Sequence, residues 1–195
     1  MASQRMLGVC TWTFGDLSLA DIAGRLANLG DNVVELMGNL NAYQPAEARQ
    51  ILQDHNLQVF SLTPDNVDLA HPDDTVRAEA VDYYLRLLNF AAGLGNPLVS
   101  CHGYVGRVRP ISNLLEERSL FLKAVKQVAD RARHMELRLV IEVLNRYEAH
   151  LINTAAEAVN FVNEIEVSNV GILLDVYHMN IDESNPATAI PQAGN

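Results

Sequence analysis

Short apolar runs alternate along this chain with longer segments in which apolar residues recur every three or four positions. The runs fall at 7–11, 32–38, 57–62, 98–102, 139–144 and 170–174. Their length, and their apolar character at successive positions, predict strands buried on both faces. Between them the spacing predicts helices. Ser18 caps a helix with Leu19, Ile22, Ala23, Leu26 and Leu29 on one face, and Gly30 stops it. Pro45 opens a second helix, running to about His55. Asp73 caps a long one that carries Val76, Ala80, Tyr83, Leu87, Phe90, Ala91 and Leu94. Leu115, Leu122, Val125, Val128 and Ala132 mark the inner face of a helix over about 112–135. Asn153 and Thr154 open the helix that joins the last two strands. Six βα steps without a linker or a second composition zone predict a single domain over 1–195, with helices packed around a parallel sheet.

Charge narrows the range of partners. The net charge is −10, and the few Arg and Lys are scattered, which argues against a nucleic-acid partner. Cys10 and Cys101 each lie inside a strand-like run and read as buried thiols rather than a disulfide framework. Met1–Arg5 lead straight into the first strand without the apolar core of a signal peptide, and no apolar stretch reaches a membrane span. A cytoplasmic protein with no membrane partner is the expectation.

The candidate chemistry sits where strands end. Glu142 lies within the fifth apolar run, where a carboxylate is costly unless it is protonated, paired or bound to a metal. Asp175 closes the sixth run, with His178 just beyond it in what reads as a loop. On neighbouring parallel strands the two acids lie about one strand spacing apart, and hard oxygens with an imidazole suit Mn²⁺ or Mg²⁺. The plainer reading of Glu142 is a strand-end acid bonded to a loop amide or paired with Arg146. Trp12, Glu35 and His102 also fall near strand ends, as the residues of a (β/α)8 barrel site do. Trp12 and Phe14 could wall a sugar face or be core-edge aromatics; His102 and Glu35 are equally open. No glycine-rich dinucleotide fingerprint, P-loop or Gly-x-Ser-x-Gly elbow is present. His55, His71, His134 and His150 carry no assigned chemistry. A barrel of this kind takes eight strands and roughly 250 residues, against about six strands here.

The stretch from Glu142 to Glu148 (EVLNRYE), with 174–180 (LDVYHMN), resembles the sugar isomerase/epimerase family with a xylose-isomerase-like barrel, and within it the ketose 3-epimerases acting on D-tagatose and D-psicose. Residues 69–73 with Val76 and Arg77 resemble the same family's third loop. The resemblance implies an α/β fold of the (β/α)8 TIM-barrel type with six of eight units in this chain. It implies an isomerase that epimerises a ketose at carbon 3 through a cis-enediolate, by carboxylate acid–base catalysis. It assigns Glu142 and Asp175 to a divalent metal, Mn²⁺ first with Co²⁺ or Mg²⁺ as alternatives, and makes Glu142 one of two catalytic carboxylates. Glu148 and His178 match residues that bind the reacting end of the sugar; Trp12 and His102 match more loosely. The family's seventh and eighth strands, with a His ligand, a second Glu and an Arg, have no counterpart here. Residues 187–195 match the helix and turn before strand seven, so a shortened form of a longer protein is the expectation. The partner implied is a small sugar, with homo-oligomerisation left open. Competing expectations are an aldose–ketose or hydroxypyruvate isomerase, an inosose dehydratase, an abasic-site endonuclease, or a non-catalytic sugar-binding module.

Overall fold

The structure is a computed structural model that describes residues 6–194. Met1–Arg5, expected to lead into the first strand, and Asn195 lie outside the described residues. Six parallel strands run in consecutive order: β1 (Gly8–Cys10), β2 (Val33–Met37), β3 (Gln58–Thr63), β4 (Leu98–Cys101), β5 (Leu139–Val143) and β6 (Val170–Leu174). Each of the first five is followed by a helix that returns the chain to the start of the next strand. These are α1 (Leu19–Leu29), α2 (Pro45–Asp54), α3 (Asp74–Leu94), α4 (Leu114–His134) and α5 (Ala155–Ile165). Two short helices, α6 (Val176–Asp182) and α7 (Pro186–Gln192), follow β6. No described helix is long and apolar enough to cross a membrane.

The local signals act as their chemistry requires. The Ser18 hydroxyl accepts from the Asp21 amide, the Asp73 carboxylate from Thr75, and Thr154 with Glu157 completes a reciprocal capping box. Gly30 ends α1 at φ 85°, in the left-handed region that a residue with a Cβ enters only with strain. The core lies between the sheet and its helices, where Phe121 of α4 stacks on Phe161 of α5 with ring centroids 5.0 Å apart.

Two expectations need correction. Leu115 was expected on the inner face of α4 but is 80% exposed, while Glu117 is fully buried on the face that carries Phe121, Val125, Val128 and Ala132. His178 lies not in a loop but on α6, which Asp175 caps by accepting from the Tyr177 amide, and it is buried.

Burial falls off toward the rims of the sheet. β4 and β5 are almost wholly buried, whereas β1 and β6 stay half-exposed. Among the described residues each of these two pairs with a single neighbour. Every strand points the same way, so all the strand-to-helix loops gather at one end of the sheet, and the candidate residues gather with them.

Candidate active site

The last bonds of the β5–β6 ladder place Glu142 opposite Leu173 and Val143 opposite Leu174, so Asp175 stands on the adjacent strand two residues beyond the partner of Glu142. Helix α6 then turns His178 back toward them. One ligand atom from each of Glu142, Asp175 and His178 lies within 4.8 Å of the other two. Glu35 joins from the far side of the arc. Its carboxylate accepts from the Cys10 thiol at 3.4 Å and the Thr63 hydroxyl at 2.6 Å, which hold it on the concave face. Below these acids an open hollow of about 420 Å³ is lined by Val9, Cys10, Val34, Glu35, Val140 and Leu173.

The electrostatics are lopsided. Burial, followed by the charges of Glu35, Asp175 and Glu148, pushes the Glu142 carboxyl up to about 7. Burial and the Glu35 carboxylate likewise push the Cys10 thiol up to about 12, which leaves it an un-ionised donor. The arginine that follows β5 does not neutralise this excess. Arg146 turns outward and binds Asp182 of α6 through both its backbone amide and its guanidinium, so the pairing of Glu142 with Arg146 is not made. A divalent cation fits the residues present: hard carboxylate oxygens converge on one point, and the excess of negative charge already raises the affinity of Glu142 for a proton.

The turn after β5 carries Glu148 and is stitched to the loop after β4. Gly106 N–H donates to the Glu148 carbonyl at 2.8 Å, and Arg107 bridges to Ala149 in the manner of a strand. Arg107 is itself pinned between Asp68 at 2.7 Å and Glu117 at 2.8 Å, and Glu117 also receives His150 Nε2 at 2.9 Å. Burial pushes the Glu117 carboxyl up, but the Ser112 and Ile111 amides, Arg107 and His150 together hold it below its ordinary value. His150 therefore belongs to a buried ionic clamp under the site, a role the sequence did not suggest.

The remaining candidates are more dispersed. His102, buried at the end of β4, donates from Nδ1 to the Gly103 carbonyl at 2.8 Å. Burial lowers its pKa, the Gly103 bond opposes this, and His178 lowers it further. Trp12 stands in a short 3-10 helix after β1 and is 43% exposed; Phe14 packs against the core instead. Asn145, fully buried between Glu148 and His178, went unnoticed in the sequence. Its only signal was its place in the motif between Glu142 and Glu148.

Comparison with known proteins accords with this geometry. The family model described as xylose isomerase-like TIM barrel matches residues 24–194. The D-psicose 3-epimerase of Agrobacterium fabrum is 32% identical over 180 residues, covering 87% of this chain and 62% of that protein. The ketose 3-epimerase of Arthrobacter globiformis is 47% identical over 62 residues, 32% of this chain and 22% of that protein. A crystal structure of D-psicose 3-epimerase with D-tagatose from Clostridium cellulolyticum H10 superposes with a TM-score of 0.90 at 26% identity, over 97% of this chain and 70% of that one. The chain thus spans about six-tenths of the length of the first of these relatives. With six parallel strands in consecutive order and a family model that matches from within α1 through α7, the chain belongs to the xylose isomerase-like TIM barrel family.

Proposed function

We propose that this chain carries the metal-binding and proton-abstracting part of a ketose 3-epimerase of the cytoplasm. The observation that carries the reading is the convergence of Glu142, Asp175 and His178 at one end of the sheet, with the Glu142 carboxyl pushed up to about 7. The similarity to D-psicose and ketose 3-epimerases supports the same reaction class.

A general base works best when its pKa lies near the working pH, because it is then free to take a proton and still basic enough to do so. Without a cation Glu142 meets that condition, with burial first and then the charges of Glu35, Asp175 and Glu148 as the cause. Carbon 3 of a ketose is weakly acidic because the neighbouring carbonyl accepts the charge left behind. In this reading Glu142 takes the proton from carbon 3, and Glu148 and His178 hold the oxygens at the reacting end. Glu142 and Asp175 would hold a divalent ion, Mn²⁺ in the first instance, whose Lewis acidity would further acidify that carbon. Return of the proton from the opposite face needs a second acid, which the family resemblance places in a strand with no counterpart among these residues. Trp12, partly exposed at the rim, and His102 would bound the sugar more loosely.

The test is isotopic. The protein incubated in D2O with Mn²⁺ and D-psicose should place deuterium at carbon 3, and Glu142→Gln should lose that exchange by at least a hundredfold, the scale of general-base removal. Exchange that persists in the variant removes Glu142 from the chemistry. Exchange at carbon 1 instead points to an aldose–ketose isomerase.

A further inference from the structure

His178 Nδ1 is approached by two N–H groups of one residue. The backbone amide of Asn145 lies 3.2 Å away and its side-chain Nδ2 lies 2.8 Å away. The orientation of that side chain is fixed from outside the pair. Tyr147 N–H donates to Asn145 Oδ1 at 2.9 Å, and Nδ2 donates to Glu148 Oε1 at 2.9 Å. Turning the amide over would set its NH2 against the Tyr147 N–H and its oxygen against the Glu148 carboxylate, losing both bonds.

With the amide fixed, its two hydrogens go one to Glu148 and one to the imidazole. A proton on Nδ1 would then face two donors and no acceptor in a buried place, where an unmet donor costs about 1–3 kcal/mol. The 4.0 Å approach of Glu148 Oε1 to Nδ1 is accordingly not an ion pair; the two are joined through Nδ2 of Asn145.

We infer that Asn145 is a positioning residue that locks His178 with its hydrogen on Nε2, making it a hydrogen-bond donor toward an oxygen of the ligand and taking it out of the set of groups able to ligate a cation. A metal-binding imidazole needs a free lone pair, and here the lone pair on Nδ1 is engaged while Nε2 has none. The cluster of Glu142, Asp175 and His178 therefore divides into two acids for a cation and one donor for the ligand. That the ligand oxygen belongs to a sugar rests on the function proposed above; the tautomer does not.

The experiment is ¹⁵N NMR of the histidine rings of the whole chain, with His178 assigned by the signals lost in His178→Gln. The wild type should show Nδ1 in the unprotonated, pyridine-like range and Nε2 in the protonated, pyrrole-like range. In Asn145→Asp an acceptor replaces the donor facing Nδ1, so Nδ1 should move to the protonated range. In Asn145→Ala the backbone N–H still faces Nδ1, so the unprotonated form of Nδ1 should remain the major one while its signal moves measurably toward the protonated range. A protonated Nδ1 in the wild type overturns the inference. So does an unchanged wild-type pattern in whichever of the two variants keeps the wild-type urea midpoint. No sugar or turnover enters the measurement, so loss of deuterium exchange and loss of the tautomer lock are separately visible.

Discussion

Replacing Glu142 with Gln should stabilise the protein at pH 8. The carboxyl titrates near 4.5 in an unstructured chain and is pushed up to about 7 in the fold, by burial first and then by Glu35, Asp175 and Glu148. Between those two values the folded state binds a proton that the unfolded state has released. Stability therefore falls as pH rises from about 4.5 to about 7, and above that the whole penalty is present. The gap of about 2.5, at ~1.4 kcal/mol each, gives a penalty of about 3.5 kcal/mol. Water at the open rim reduces this, so the expected gain is about 1–3 kcal/mol. Gln is neutral at every pH and escapes the penalty, so the variant should exceed the wild type by that amount at pH 8 and lose the advantage at pH 4.5. For a domain of this size each kcal/mol moves the melting temperature by about 2–4 °C. Urea titrations of both proteins at the two pH values, with a chelator present, measure the difference directly. Adding Mn²⁺ at pH 8 should narrow or reverse the difference: a site at a hundred times its Kd gains about 2.7 kcal/mol, and the variant gains less. A stability difference that stays constant from pH 4.5 to pH 8 would refute the account of why this carboxyl is held near neutrality.

Asp175→Asn should abolish the Mn²⁺-dependent rise in melting temperature while leaving the metal-free protein folded, as read by thermal melts with and without chelator. Glu117→Ala should cost about 3–5 kcal/mol in urea unfolding, because it strands Arg107 as a buried cation beside Asp68 alone. The pH dependence of Glu117 runs opposite to that of Glu142. Its carboxyl is held below the ordinary value, so the stability it confers is present above about 4.5 and is lost as pH falls below it. The acid limb of a wild-type stability profile should therefore flatten in Glu117→Gln. Gly38→Ala should cost about 1–3 kcal/mol, since a Cβ there would lie 2.6 Å from the Tyr83 hydroxyl and 3.0 Å from the Thr63 carbonyl.

The sheet was legible because strands buried on both faces leave near-continuous apolar runs, and all six runs became strands with shifts of a residue or so at their ends. Caps at Ser18, Asp73 and Thr154 were legible because they depend on neighbours two or three residues away. What stayed hidden depends on distant partners. Periodicity placed Leu115 inward on α4, but the buried position goes to Glu117, because Arg107 and His150 arrive there from other loops to satisfy its charge. His178 read as a loop residue because α6 has only seven residues, too few for a periodic signal, and exists through the cap that Asp175 supplies. Arg146 looked like the natural partner of Glu142, yet three residues beyond the strand the chain has turned, and Asp182 meets it first. Asn145 was hidden because its amide acquires a role only when residue 178 returns beside it.

The stability cost and the chemistry of the site have one origin. An acid that was paired, as Glu142 would have been with Arg146, would keep a low pKa, cost the fold little and be a feeble base. Here the fold directs that guanidinium outward to Asp182 and leaves Glu142 facing three other carboxylates. That arrangement raises proton affinity and cation affinity together, since both relieve the same repulsion. The neighbouring turn takes the opposite course: Glu117, with Arg107 and His150 bonded to it, is held below its ordinary pKa and serves as a rigid support. The support is linked to the site, because the loop that Arg107 anchors reaches the Glu148 carbonyl through Gly106, and Glu148 in turn meets His178 through Asn145. The carboxyl pushed toward neutrality is thus set beside a turn whose own buried carboxylate, Glu117, is held the other way by bonded partners.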